Sequence, residues 1–269
     1  MTKCLIALGS NLGDRSATLD AAIEALSAAA GVAVTAQSYW QLTIPVGVVG
    51  DRPAFLNGAA IVETSLAAND LLSLLQCIES HFGRERTHRW GDRTLDMDLL
   101  LFGDAVIDTP QLSVPHPRMS YRRFVLEPAA RIAGEMMHPT IGCTVSHLLD
   151  FLTIGCDCVA LVSENCSARD ALSAKLINKY ALQPRQAAGD NENRWPAKST
   201  IWLSIPNPER AVGHPKLTIL LHPGPHDGNF LAMGRGPTLR VPVPDGQDIE
   251  TDVFAAIEAV WPRLGPLGE

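Results

Sequence analysis

The chain has 269 residues and a mass of 29.0 kDa, enough to bury the core of one large domain or two modest ones. Apolar residues make up 46% and charged residues 19%, which excludes wholesale disorder and fibrous repeats. The 22 basic against 29 acidic residues leave a net charge of −7, the wrong sign for a general nucleic-acid binder.

The first nine residues carry one Lys and a short apolar run, too short for a secretory segment and suited to a first strand over 3–9. Asn11, Gly13 and Asp14 supply turn and capping chemistry. Leu19, Ile23, Leu26 and Ala30 then recur at helical spacing up to Gly31. A strand is predicted over 32–42, then a loop marked by Pro45, Gly47, Gly50 and Pro53, then a strand from Phe55 to Val62. Leu71, Leu74, Leu75 and Ile78 define a second helix that stops at Gly83. Leu95 to Phe102 reads as a strand, with Val106-Ile107 completing a hairpin after Gly103-Asp104. Short helices are predicted over 120–132 and 144–152. The order β-α-β-β-α-β predicts a ferredoxin-like α+β domain, an antiparallel sheet with helices on one face, over residues 1–154.

Proline becomes denser after residue 155, and residues 155–269 are expected to form a separate, smaller α/β domain. Strands are predicted at 159–163, 200–205, 216–222 and 238–243, with helices at 167–180 and 249–261. Ser167 is the expected cap of the first, and 184–198 reads as a loop. The six cysteines lie mostly in apolar runs without a Cys-x-x-Cys, as expected of reduced thiols in a cytoplasmic protein. No apolar run approaches the roughly 20 residues that cross a bilayer, so no membrane partner is expected.

Chemistry concentrates between Gly83 and Phe102. Asp96 and Asp98 are two apart in a predicted strand, so their carboxylates share one face while Leu95, Met97 and Leu99 point into the core. Two neighbouring carboxylates repel, and a hard divalent cation such as Mg²⁺ resolves that conflict with oxygen ligands. Seven of the ten arginines of residues 1–154 fall in two short segments, Arg84, Arg86, Arg89 and Arg93, then Arg118, Arg122 and Arg123. Guanidinium groups so grouped in an acidic protein suit an anion such as a polyphosphate. Metal plus guanidinium is the inventory of phosphoryl transfer. A lone Asp-x-Asp is more often a solvated edge. This one leads into Leu-Leu-Leu-Phe, where unpaired carboxylates are costly.

The run Arg93-Thr94-Leu95-Asp96-Met97-Asp98, followed by Val114-Pro115-His116-Pro117-Arg118-Met119 and Arg122-Arg123-Phe124-Val125-Leu126-Glu127-Pro128, resembles the signature of the 6-hydroxymethyl-7,8-dihydropterin pyrophosphokinase family. Ala7-Leu8-Gly9-Ser10-Asn11-Leu12-Gly13-Asp14 and Phe55-Leu56-Asn57 match the same family in the same order, and the resemblance covers about residues 1–153. It implies pyrophosphate transfer from ATP to a pterin alcohol in folate biosynthesis, with AMP leaving. Asp96 and Asp98 match the pair holding two Mg²⁺ ions, with Asp96 also near the pterin, and Arg84 and Arg93 match arginines that grip the triphosphate and assist transfer. Gln76, Glu79, Trp90, Leu99, Ser113, His116 and Arg122 fall at nucleotide positions. Phe55 and Phe124 match two rings that sandwich the pterin, Asn57 an amide on its edge, and Thr43, Pro45 and Val46 a loop that completes recognition. Phe55 stands where many members carry Tyr, and the segment from Arg86 to Trp90, with His88, is one residue shorter than in some. The loops 43–53 and 84–92 are expected to act as lids.

Residues 159–181 and 215–221 faintly resemble the nucleoside-kinase branch of P-loop proteins. Ser163-Glu164-Asn165-Cys166-Ser167 lacks the glycines and the Lys-Ser/Thr of a phosphate cradle, which implies a degenerate domain kept for structure or a protein partner. His214, His222 and His226 are interrupted by Pro and Gly and read as loop histidines. Two rival functions stay open from the residues alone: a non-catalytic ferredoxin-like module with a structural cation at the Asp pair, and a metal-dependent phosphodiesterase. The chain is expected to be a monomer.

Overall fold

Nine residues of unbroken β-strand, Thr2–Ser10 (β1), form the centre of the first sheet, and seven of them are buried. The computed structural model describes residues 1–43, 53–84, 93–185, 200–206, 208–209, 214–222, 236–242 and 249–262. The chain divides into two compact units. Met1–Met119, Phe124–Pro139 and Thr144–Ser146 form the first, and Ser120–Arg123, Thr140–Cys143 and His147–Glu269 form the second.

In the first unit β1 is followed by α1 (Arg15–Ala28), β2 (Val32–Gln37), β3 (Gln41–Thr43), β4 (Phe55–Thr64), α2 (Ala68–His81) and β5 (Asp96–Phe102). Asp14 caps α1, its Oδ1 accepting the Ala17 N–H at 3.1 Å, as turn chemistry before an apolar stripe predicts. The sheet runs β2-β4-β1-β5 with β3 also on β4, and its pairs are antiparallel. Cys4, Ile6 and Leu8 of β1, Ala60 and Val62 of β4, and Met97 and Leu99 of β5 form one core. Leu19 and Leu26 of α1 and Leu71, Leu75 and Ile78 of α2 pack into it. Both helices therefore cover one face, and the alternate residues of the same strands carry the other.

The strand expected over 32–42 is two strands, because Ser38 replaces a ladder partner. Its Oγ accepts the Ala59 N–H at 2.9 Å, and its own N–H donates to the Ala59 carbonyl. Trp40 then lies over Gly58, where a Cβ would come within 2.4 Å of the indole. The hairpin expected between Leu95–Phe102 and Val106-Ile107 does not form. Instead β6 (Ile107–Asp108) pairs with β7 (Ser113–Val114), and the turn is closed by Thr109 N–H to Leu112 O at 2.9 Å and Leu112 N–H to Thr109 Oγ1 at 3.0 Å. The helix expected over 120–132 is a 3₁₀ turn at Met119–Tyr121 followed by α3 (Arg123–Ala133). Two short strands, β8 (Met137–His138) and β9 (Cys143–Thr144), precede α4 (Val145–Ile154).

In the second unit β10 (Cys156–Val162) is buried along its whole length. It is followed by α5 (Cys166–Tyr180), β11 (Gln183–Arg185), β12 (Thr200–Ser204), β13 (Pro215–His222), β14 (Thr238–Pro242) and α6 (Ile249–Val260). The sheet order is β11-β12-β10-β13-β14. The β10-β13 and β13-β14 pairs are parallel, and β12 is antiparallel to β10. β11 falls at the start of the predicted 184–198 loop, where Pro184 hides the strand signal. Asn165, not Ser167, caps α5 by accepting the Ala168 N–H at 3.0 Å. On the central strand β10, buried Asp157 Oδ1 receives Lys216 Nζ at 2.6 Å and Trp261 Nε1 at 3.1 Å. On the opposite face of β10 the Cys158 hydrogen bond and then the Arg185 guanidinium, whose Nη1 lies 2.9 Å from Cys156 Sγ, hold the Cys156 thiol down at about 7. Among the described residues no helix is long and apolar enough to cross a membrane.

Candidate functional site

The register of three strands assembles the site. Gly9 of β1 pairs with Asn57 of β4 on one side and Asp96 of β5 on the other, and Asn57 in turn pairs with Gln41 of β3. Directly paired residues project on the same side of an antiparallel sheet. Asp96, Asn57 and Gln41 therefore stand in one row on the face away from α1 and α2, with Asp98 one pleat to one side of it and Phe55 one pleat to the other. The gap at Gly9 is filled by its neighbour: a Cβ there would stand 2.7 Å from Asn57 Oδ1. Asn57 Nδ2 donates to Thr43 Oγ1 at 2.5 Å, so the amide's orientation is set from both sides.

Asp96 is bracketed by guanidinium groups. Arg93 Nη1 donates to Oδ2 at 2.5 Å, and Arg84 Nη1 lies 2.7 Å from Oδ1. Arg84 also pairs with Glu79 of α2, which is 2% exposed. The same Glu79 Oε1 accepts the Met97 N–H at 2.7 Å, tying the helix, the arginine and β5 together. Arg93 is held through its backbone. Its N–H donates to Asn11 Oδ1 at 2.7 Å, and the Asn11 N–H donates back to the Arg93 carbonyl at 3.1 Å. Asp98 faces His116, whose Nε2 lies 3.8 Å from Oδ2. His116 Nδ1 accepts the Arg118 N–H at 3.2 Å, which puts the neutral ring's proton on Nε2, toward Asp98.

The donor set fits Mg²⁺. Asp96 Oδ1 is buried and accepts no hydrogen bond among the described residues, despite the nearby guanidinium. Asp98 beside it is 36% exposed. Two hard carboxylates, one with a buried oxygen held by an ion pair and not by a hydrogen bond, suit an ion that keeps its other positions for water and substrate phosphates. Among the described residues no cluster of three or more His, Cys, Asp or Glu forms a closed cage.

The structure thus brings together Arg84, Arg93, Asp96, Asp98, Glu79 and His116, and separately Asn57 within the row and Thr43 and Phe55 one pleat beside it. Leu99 is 2% exposed, and its side chain packs in the core with Leu95 and Met97, because odd positions of β5 face the helices. Gln76 is half-buried on α2, Ser113 opens β7, and Phe124 is half-buried in the first turn of α3. Arg122 belongs to the second unit. Pro45, Val46 and Trp90 lie outside the described residues, as do Arg86, His88 and Arg89 and most of both expected lids. Asn11 and Gln41 carry contacts that the sequence did not disclose. Asn11 sits in a quoted motif but reads as turn chemistry, and Gln41 gives no local signal.

The chain matches the family described as 7,8-dihydro-6-hydroxymethylpterin-pyrophosphokinase over residues 5–134. The 2-amino-4-hydroxy-6-hydroxymethyldihydropteridine pyrophosphokinase of Pseudomonas aeruginosa is 44% identical over 134 residues, 50% of this chain and 82% of that protein. This chain belongs to the family. The pyrophosphokinase of the same name from Bacillus subtilis is 50% identical over 131 residues, covering 49% of this chain and 78% of its own. That of Synechocystis is 38% identical over 157 residues, covering 58% and 77%. Among solved structures, one titled as HPPK-DHPS in complex with substrates is similar over 55% of this chain and 43% of that one, at 13% identity and a TM-score of 0.43. The matched residues of this pyrophosphokinase family member include every carboxylate, guanidinium and amide of the row.

Proposed function

We propose that this chain transfers the terminal pyrophosphoryl group of ATP to the hydroxymethyl oxygen of 6-hydroxymethyl-7,8-dihydropterin, giving AMP and the pterin diphosphate for folate biosynthesis. The observation that carries this is the register of Asp96, Gly9 and Asn57, which sets a doubly guanidinium-bracketed carboxylate in one row with a heterocycle-reading amide.

Asp96 and Asp98 are the residues that would hold two Mg²⁺ ions, which when bound neutralise the triphosphate and lower the alcohol's pKa. Arg84 and Arg93, resting on Asp96 in this structure, turn to the phosphate oxygens, where guanidinium forks bind bidentately. Glu79 keeps Arg84 aimed at the site, and Asn11 keeps the Arg93 backbone fixed. Asn57 and Thr43 read the pterin edge with Pro45 and Val46, and Phe55 and Phe124 give the flat ring its apolar faces. Gln76, Trp90, Leu99, Ser113 and His116 line the nucleotide. The alcohol oxygen attacks the β-phosphorus in line, the bond to the bridging oxygen breaks, AMP leaves with that electron pair and the alcohol loses its proton.

The strand order β2-β4-β1-β5 with both helices on one face supports a ferredoxin-like reading of the first unit, and the mixed sheet supports an α/β reading of the second. We read the protein as a cytoplasmic monomer whose second unit, as a degenerate kinase-like domain, serves structure or a protein partner. The test is acceptor dependence: AMP forms only when Mg²⁺, ATP and the pterin alcohol are all present. AMP formed at the same rate without the alcohol would mark a phosphodiesterase instead.

A further inference from the structure

Gln41 stands opposite Asn57 in the β3-β4 ladder and shares its face with Asn57, Thr43 and Phe55. Its Nε2 donates to Glu127 Oε2 on α3. A carboxylate only accepts, so this bond fixes which end of the amide is which. Oε1 therefore points away from Glu127, and it is buried and accepts no hydrogen bond among the described residues. Buried acceptors are nearly always matched, and one left unmatched in the same row as Asn57 and Asp96 calls for a donor from outside the chain.

Its place in the row says which donor. Strands are spaced about 4.8 Å apart, so Gln41 lies three spacings, about 14 Å, from Asp96. The substrate proposed above carries its reacting alcohol at position 6 and its 2-amino group on the other ring. With the alcohol directed at the Asp96 and Asp98 carboxylates, the amino-bearing edge lies toward β4 and β3. Asn57, one strand nearer, has its Nδ2 engaged with Thr43 and meets the same edge. Gln41 is the next polar side chain outward, and it offers an acceptor to an edge that includes the 2-amino N–H donors.

We propose that Gln41 is a specificity-determining residue: its Oε1 accepts a hydrogen bond from the 2-amino edge of the heterocycle, and Glu127 holds the amide in that orientation. This rests on the pterin reading of the site. It assigns the pocket to flat heterocycles that present an amino group at that edge, and it separates them from analogues in which hydrogen replaces the amino group.

The test is calorimetric binding of the pterin alcohol and of its 2-deamino analogue to the full chain, with Mg²⁺ and a non-hydrolysable ATP analogue present. Wild type is expected to favour the amino compound by about tenfold or more, the discrimination that one matched hydrogen bond supplies. Gln41→Leu is expected to weaken the amino compound to the level of the deamino one while the affinity of the ATP analogue stays within twofold. Gln41→Met, closer in shape, is expected to do the same should the Leu variant fold poorly. In turnover the loss falls on KM for the pterin, with kcat within about threefold. A preference that survives both substitutions overturns the role of Gln41 while leaving the pterin reading intact. Wild type that binds neither compound overturns the pterin reading and this inference with it.

Discussion

Gly9 and Asn57 face each other across β1 and β4 so closely that a Cβ on Gly9 would stand 2.7 Å from Asn57 Oδ1. The amide lies over the bare backbone of the neighbouring strand, and its Nδ2 is tied to Thr43. Gly9→Ala is therefore expected to push the amide out of position. Steady-state kinetics should show KM for the pterin raised about tenfold or more with KM for ATP little changed, since overpacking by one methyl costs about 1–3 kcal/mol locally. Unchanged KM for the pterin would mean that Asn57 does not read the heterocycle.

Asp98 is the more exposed member of the carboxylate pair and faces His116, whose Nε2 lies 3.8 Å away. Its removal should disturb the fold little and the chemistry greatly. Asp98→Ala is expected to lower kcat by at least a hundredfold, the scale of losing a charge-stabilising group at the reacting phosphates, with pterin affinity within a few-fold. A Mg²⁺ titration of turnover in the variant should shift to higher concentration. Near-normal turnover would remove the metal assignment.

Asn11 acts through Arg93, by the reciprocal backbone bonds at 2.7 and 3.1 Å. Asn11→Ala leaves the Arg93 N–H without this partner, at a cost of about 1–3 kcal/mol in stability. Its kinetic effect should disappear in an Arg93→Ala background. Two independent losses that simply add would show that Asn11 does not position Arg93.

Burial pushes the Cys4 thiol up to about 12, so the folded chain keeps the proton that the unfolded chain begins to release near pH 8.5. The unfolded state then binds fewer protons than the native one, and stability falls as pH rises from there toward 12. Urea midpoints between pH 8 and 11 should fall more steeply for wild type than for Cys4→Ala. Parallel slopes would place the alkaline sensitivity elsewhere.

In the second unit Lys216 and Asp157 are both buried and 2.6 Å apart. Lys216→Met leaves a buried carboxylate without its cation and is expected to destabilise the chain by about 3–5 kcal/mol. Adding Asp157→Asn should restore much of that by removing the stranded charge. A single variant as stable as wild type would contradict the pairing.

The carboxylates, their shared face and the buried face behind them are legible because period-two alternation at Leu95, Asp96, Met97, Asp98 and Leu99 is local. The same rule assigns the Leu99 side chain to the core. What sequence does not disclose is register. That Gly9 lies between Asn57 and Asp96, and that Gln41 extends the row, depends on which residues three separate strands place opposite one another. Ser38 shows a second limit: one hydroxyl standing in for a ladder partner divides a predicted strand in two. The resemblance places Glu79 at a nucleotide position, and only the fold shows that it accepts the Met97 N–H and pairs with Arg84.

The central claim is that the guanidinium-bracketed aspartate row hands a two-phosphate unit to an alcohol. Following the reaction with ATP labelled at the β-phosphorus tests it most directly. The account predicts that the label leaves with the pterin product, together with the γ-phosphorus, and that AMP carries none. Label recovered in ADP, with only the γ-phosphorus on the pterin, or in free pyrophosphate with the pterin untouched, would contradict it.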